Sequence, residues 1–166
     1  MPEKKYPSPQ YKSVDSLLKE KKIYQIVNPR LLQAPPTMTV KAAIGYMQKE
    51  RAGYIVIAEN GKPVGIFTET DVVRKILEQD VDWNRPVRDF MTPSPMVLTP
   101  QETVGEAIDA MGTHRFYHIP LVDEKGNLVN VISVRTLIRF LAEFYPAEIL
   151  NLPPVPNQVM ETQEGG

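Results

Sequence analysis

The sequence predicts an α+β fold made of two similar β-α-β-β-α units related by a pseudo-twofold axis. Three observations lead there. Subtracting 64 from positions in the second half brings identical residues into register: Pro93 on Pro29, Pro100 on Pro36, Thr103 on Thr39, Val104 on Val40, Ala107 on Ala43, Ile108 on Ile44, Met111 on Met47, Arg115 on Arg51 and Ile119 on Ile55. Unrelated segments of average composition would share roughly one identity in fifteen positions, so these nine mark an internal repeat. One extra residue near Lys125 moves the spacing to 65, which aligns Gly126 with Gly61, Val129 with Val64, Arg139 with Arg74 and Glu143 with Glu78. Finally, helical and strand periodicities alternate in the same order within each copy.

The repeats cover about 23–78 and 87–143. The chain divides into an extension at 1–22 with a short helix, unit one at 23–78, a joint at 79–86, unit two at 87–144 and a tail at 145–166. Residues 1–12 carry three prolines and read as an extended lead-in. Ser13 is a suitable cap for a short helix whose Val14, Leu17 and Leu18 form an i, i+3, i+4 stripe. Unit one opens with an irregular segment, Ile23–Pro36. Thr39 then caps a helix in which Val40, Ala43, Ile44 and Met47 share one face, ending near Glu50. Tyr54–Ala58 reads as a buried strand. Asn60-Gly61 supplies the positive φ angles of a type I′ hairpin turn, and Val64–Phe67 is the returning strand. A second helix starts at Thr68, with Val72, Val73, Ile76 and Leu77 as its apolar stripe. Trp83 is expected to anchor the joint.

Unit two repeats this order. Val87–Pro100 opens it and a helix covers about Val104–Met111. The strands are Tyr117–Val122 and Leu128–Ile132 around a turn at Asp123–Asn127, and a helix runs from Ser133 to about Phe144. The tail from 153 has three prolines and polar residues and reads as an extended arm or disordered end. One unit alone would leave an apolar sheet face exposed, whereas two units can bury those faces against each other.

Composition narrows the function. The 166 residues include 19 basic and 20 acidic side chains, a net charge of −1. That leaves no electrostatic footprint for nucleic acid. Cysteine is absent, so disulfides and thiolate metal sites are excluded and a reducing, cytoplasmic setting fits. No apolar run approaches the roughly 20 residues of a membrane span, and the N-terminus lacks the apolar stretch of a signal peptide. His114 and His118 are four apart, but His118 falls on a strand and no third ligand accompanies them, so no metal site is assigned. Gly61-Lys62-Pro63 is a turn and not a P-loop.

The stretch Gly65-Ile66-Phe67-Thr68-Glu69-Thr70-Asp71 stands out. It ends a strand and begins a helix, with a hydroxyl and a carboxylate three apart. Thr-x-x-Asp is also a capping box. The cap and ligand readings coincide at Thr68 and compete at Asp71.

The Gly-x-x-Thr-x-x-Asp pattern resembles the nucleotide signature of tandem cystathionine-β-synthase (CBS) domains, the Bateman module. The run Val87-Arg-Asp-Phe-Met91-Thr-Pro93, followed by Val97-Leu98-x-Pro100, resembles that family's repeat opening. His118-Ile-Pro-Leu-Val-Asp123 with Gly126 resembles its central hairpin. The resemblance implies a non-enzymatic regulatory module binding an adenosine ligand (AMP, ADP, ATP or S-adenosylmethionine) in a cleft, as a homodimer read by a protein partner. It places Ile66, Thr68 and Asp71 in a first pocket with Ser94, Pro95, Met96, Phe116, Tyr117 and His118. Asp71 would accept hydrogen bonds from a ribose diol, Thr68 would meet phosphate at the helix start, and Met96, Ile66 and Phe116 would form a purine slot. His118 or Arg115 could face phosphate.

A second pocket departs from the pattern. Asn130 replaces Gly65, Ser133 replaces Thr68 and Thr136 replaces Asp71, so ribose recognition there is weakened. Its other wall would hold Arg30, Leu31 and Leu32 with Ala52, Gly53 and Tyr54. The alternative function is a dimerisation or protein-interaction module with a vestigial nucleotide site. An enzyme is disfavoured, because the chain has no catalytic carboxylate cluster, metal set or activated nucleophile.

Overall fold

In a computed structural model of the chain, residues 14–144 are described. The lead-in of residues 1–12, the Ser13 cap and the tail beyond 144 lie outside the described residues.

Helix α1 (Val14–Glu20) is followed by a single 3-10 turn, Ile23–Gln25, and by β1 (Gln33–Ala34). Helix α2 (Val40–Glu50) starts where expected: the Thr39 hydroxyl accepts the Ala42 N–H at 3.2 Å, satisfying one of the free donors of the first turn. Strands β2 (Tyr54–Glu59) and β3 (Lys62–Thr68) form the hairpin. Asn60 and Gly61 both have positive φ, at 51° and 77°, as a type I′ turn requires. Helix α3 begins as an α-helix over Glu69–Asp71 and continues as a π-helix over Val72–Leu77. A second 3-10 turn, Val87–Asp89, precedes β4 (Thr92–Pro93). Then come α4 (Val104–His114), β5 (His118–Val122), β6 (Leu128–Ser133) and α5 (Val134–Phe144). At α4, Thr103 and Glu106 form a reciprocal capping box.

Each unit builds its own core. The first gathers Leu32, Val40, Ala43, Met47, Ile55, Ile57, Phe67 and Ile76. The second gathers Leu98, Val104, Ala107, Met111, Ile119, Leu121, Ile132 and Leu137. The strands alternate faces. Ile55, Ile57 and Phe67 point into the first core, while Val56 and Ile66, also buried, point the other way. In the second unit Pro120 and Val131 are the corresponding buried pair. These opposite faces turn towards each other, and the Tyr54 and His118 rings meet there with centroids 4.6 Å apart. Tyr54 and His118 occupy equivalent places in the two repeats.

The opening segments are exchanged. Val87, Phe90 and Met91 complete the first core, whereas Leu17, Ile23, Ile26 and Val27 complete the second. The exchange is reciprocal at the level of single hydrogen bonds. Val40 N–H donates to the Arg85 carbonyl at 2.9 Å, and Val104 N–H to the Lys21 carbonyl at 2.8 Å. Val87 N–H donates to the Met38 carbonyl at 2.7 Å, and Ile23 N–H to the Glu102 carbonyl at 2.9 Å. Strand β4 belongs to the same exchange. It closes the four-stranded sheet β1-β2-β3-β4, pairing Pro93 with Gly65 and Thr92 with Ile66. The second sheet pairs β5 with β6, and Leu98 bridges to Leu121 just as Ala34 pairs with Ile57.

Trp83, expected to anchor the joint, is 38% exposed, and its carbonyl accepts the Lys41 N–H at the start of α2.

Candidate functional site

The corner between β3 and α3 is built from local rules. Thr68 ends the strand with extended φ and ψ of −129° and 168°. The chain then turns into a helix, and Asp71 folds back on the turn it opens. Its Oδ2 accepts the Thr68 N–H at 2.9 Å and the Thr68 O–H at 3.1 Å. Its Oδ1 meets the Lys75 ammonium at 2.6 Å, and the Thr92 O–H lies at 3.5 Å. Asp71 is only 6% exposed, the one buried charged side chain among the described residues. A carboxylate so placed depends on its partners, because an unpaired buried charge is costly.

The structure brings part of the expected first pocket together. Ile66 and Thr68 share the β3 face that turns towards the other unit. Strand β4 lies against β3, and Ser94, just after it, donates its N–H to the Val64 carbonyl at 3.1 Å. Ser94 adopts the left-handed conformation with φ of 49°. A Cβ on Gly65 would lie 2.1 Å from the Met91 sulfur, so a larger residue there would push the Met91 side chain aside. Pro95 and Met96 are half-buried, and Met96 packs on the second core. His118 reaches the first unit through the Tyr54 ring. Burial pushes its pKa down to about 4, so near neutral pH it is an uncharged ring and not a phosphate counter-ion. Phe116 stacks on His114 with centroids 5.5 Å apart, and Tyr117 is the more exposed of the two.

The second corner is neutral. The Ser133 hydroxyl accepts the Thr136 N–H at 3.2 Å and shares a 3.0 Å hydrogen bond with the Thr136 hydroxyl. Among the described residues no strand comparable to β4 lies beside Asn130, and its amide donates instead to the Asn28 carbonyl at 2.8 Å. Arg30, on the expected far wall, pairs with the Glu50 carboxylate at 2.6 Å. Tyr54 has its pKa raised by burial, an effect opposed by the nearby Arg30 charge.

Two participants were missed in the sequence. Lys75 follows Asp71 by four, a spacing that places both on one helix face. Thr92 lies inside the repeat opening already singled out. Among the described residues no three His, Cys, Asp or Glu side chains cluster as a metal site, and no helix is long and apolar enough to cross a membrane.

The CBS domain profile matches residues 23–78 and 87–143. The chain belongs to the CBS-domain family. Its fold is that of a tandem CBS pair. An uncharacterized 17.7 kDa protein of Acidianus ambivalens is 30% identical over 125 residues, covering 75% of each chain. The chain spans 32% to 75% of the length of the first three curated relatives it matches. Among solved structures, a CBS domain protein of Pyrobaculum aerophilum complexed with AMP superposes with a TM-score of 0.68 at 24% identity, over 76% of this chain and 99% of that one. The CBS domain pair of protein MJ0100, in complex with 5′-methylthioadenosine and S-adenosylmethionine, also gives 0.68, at 20% identity, over 74% of this chain and 97% of that one. At these identities the two structures speak for the fold.

Proposed function

We propose that this CBS pair is a non-catalytic regulatory module that binds an adenosine-containing ligand (AMP, ADP, ATP or S-adenosylmethionine) at the Thr68–Asp71 corner, and that it works as a cytoplasmic homodimer read by a protein partner. One observation carries the reading: a buried carboxylate at a helix start, on the side of its sheet that faces the other unit, with β4 of the second repeat laid beside it. Ribose hydroxyls are natural partners for such a group, because hydrogen bonds to an ionised acceptor are the strong ones. The second corner, with Thr136 in place of the carboxylate, binds more weakly. A ligand moves the units only by binding one arrangement better than another.

The engagement of Asp71 with Thr68, Lys75 and Thr92 favours a second reading, in which the corner is a helix cap inside an interaction module. Calorimetric titration of the four ligands into wild type and Asp71→Asn separates the two. The isosteric amide preserves the shape and part of the cap. Binding weakened at least tenfold in the variant, about 1.4 kcal/mol, supports the ribose reading. No binding to ligand-free wild type would leave the interaction module.

A further inference from the structure

Both oxygens of Asp71 are engaged, by three firm bonds and one at the limit of hydrogen-bond distance. Oδ2 is held by the N–H and O–H of Thr68, and Oδ1 by Lys75 with Thr92 nearby. A carboxylate accepts about four hydrogen bonds. A ribose diol, which brings two donors, therefore needs a place cleared. The Thr68 N–H is backbone and cannot leave without unwinding the helix start. The hydroxyls of Thr68 and Thr92 can turn in place, but both sit on backbone held by strand pairing and stay beside the carboxylate. Lys75 is different. Its side chain is 37% exposed and has a long flexible stem leading to water. It also has a second partner, the Phe90 carbonyl, at 2.8 Å.

We propose that Lys75 is an internal occupant of the ligand site, holding Asp71 in the empty protein and displaced from Oδ1 by the ribose diol. This rests on the nucleoside-site reading above and adds its regulation. The internal repeat supplies an independent observation. Where Asp71 becomes Thr136, Lys75 becomes Phe140, which is buried in the second core. The pair is present together in one repeat and absent together in the other. Tethering the exchanged segment does not by itself require a lysine, because Ile23–Val27 packs on the second unit with Phe140 at the corresponding place. Displacing Lys75 also disturbs its bond to Phe90, so occupancy of the corner is felt by the exchanged segment that ends at Met91.

The test uses adenosine, which has no phosphate for a freed ammonium to meet. Calorimetry on Lys75→Met should show adenosine binding at least fivefold tighter than wild type, and Lys75→Arg should show no gain. Equal or weaker binding by a folded Lys75→Met protein overturns the displacement. Wild type gives a second readout that does not depend on a variant folding. Adenosine should raise labelling of Lys75 by an amine-reactive reagent several-fold, read by peptide mass spectrometry; unchanged or reduced labelling overturns the proposal. Wild type that binds adenosine without either effect refutes the displacement alone. Wild type and Lys75→Met that both fail to bind refute it together with the nucleoside-site reading.

Discussion

Tyr54 and His118 are the same position written twice, and they meet ring to ring between the two units. The tyrosine stays neutral at any ordinary pH. The histidine is the exception, since burial holds its pKa down to about 4 against an ordinary value near 6.5. The sign follows from linkage. Above pH 6.5 both folded and unfolded chains carry a neutral ring and nothing is lost. As pH falls from 6.5 towards 4, the unfolded chain takes the proton and the folded one does not. Stability therefore drops across that window by up to about 3 kcal/mol, at 1.36 kcal/mol per pKa unit. His118→Phe keeps a ring against Tyr54 and cannot take a proton. Thermal denaturation between pH 7 and pH 4.5 should show a smaller fall in Tm for the variant than for wild type. Parallel falls would mean that His118 is protonated in the fold without penalty. Much of the residue scale was legible in sequence: Thr39, Thr103, Asn60 and Gly61 act through partners a few positions away, so spacing alone announces them. Asp71 was legible as a site candidate and as the cap partner of Thr68, but the partners of its other oxygen were not. Thr92 comes from a strand laid alongside, and Lys75 stands one turn beyond Asp71 with no motif to mark it.

Helix α3 is where the elements depart from expectation. Val72, Val73, Ile76 and Leu77 were expected to form one apolar stripe. Ile76 is buried, yet Val73 is 51% and Leu77 is 60% exposed. The helix winds as a π-helix here, with the Glu78 N–H reaching back five residues to the Val73 carbonyl, but the same outward placement recurs in the ordinary α-helix α5, so it belongs to the place of the helix in the fold, which periodicity does not report. In α5, Ile138, the counterpart of Val73, is 62% exposed. A neighbouring groove of about 300 Å³ between α2 and α3 is lined by Ile44, Met47, Val72 and Val73. Two apolar helix faces in equivalent places, one per repeat, suit burial against a second copy of the chain. The double variant Val73→Glu, Ile138→Glu tests the proposed homodimer. Both side chains are largely exposed, so the fold should be kept while charge is placed in the contact. Sedimentation equilibrium should find wild type dimeric and the variant monomeric, with matching circular dichroism. A monomeric wild type, or a variant that still dimerises, would move the contact elsewhere.

At the scale of the whole molecule, the repeats seen in the sequence are not the units that pack. Residues 23–27 lie within the first repeat but complete the second core, and residues 87–91 do the reverse. Periodicity and internal identity report which segments are alike, not which copy each segment joins. The exchange is carried by hydrogen bonds such as Ile23 to Glu102 and Val87 to Met38, which cross 40 to 80 positions of chain and leave no local signature. It has a mechanical consequence. Neither unit can finish its core alone, and any shift of the segment at 87–91 is transmitted to both the first core and β4. Damage should therefore appear in the half of the molecule remote in sequence. Ile23 is fully buried, and Ile23→Ala is expected to cost about 2–5 kcal/mol, as for buried isoleucines generally. In amide hydrogen exchange, that variant should lose protection first in β5 and β6, while β2 and β3 of its own repeat hold theirs. Val87→Ala should give the mirror image, loosening β2 and β3 ahead of β5 and β6. Equal loss everywhere would mean that the two cores open as one cooperative unit, and then a ligand at Asp71 would stabilise both halves alike instead of reaching the second through the exchanged segment.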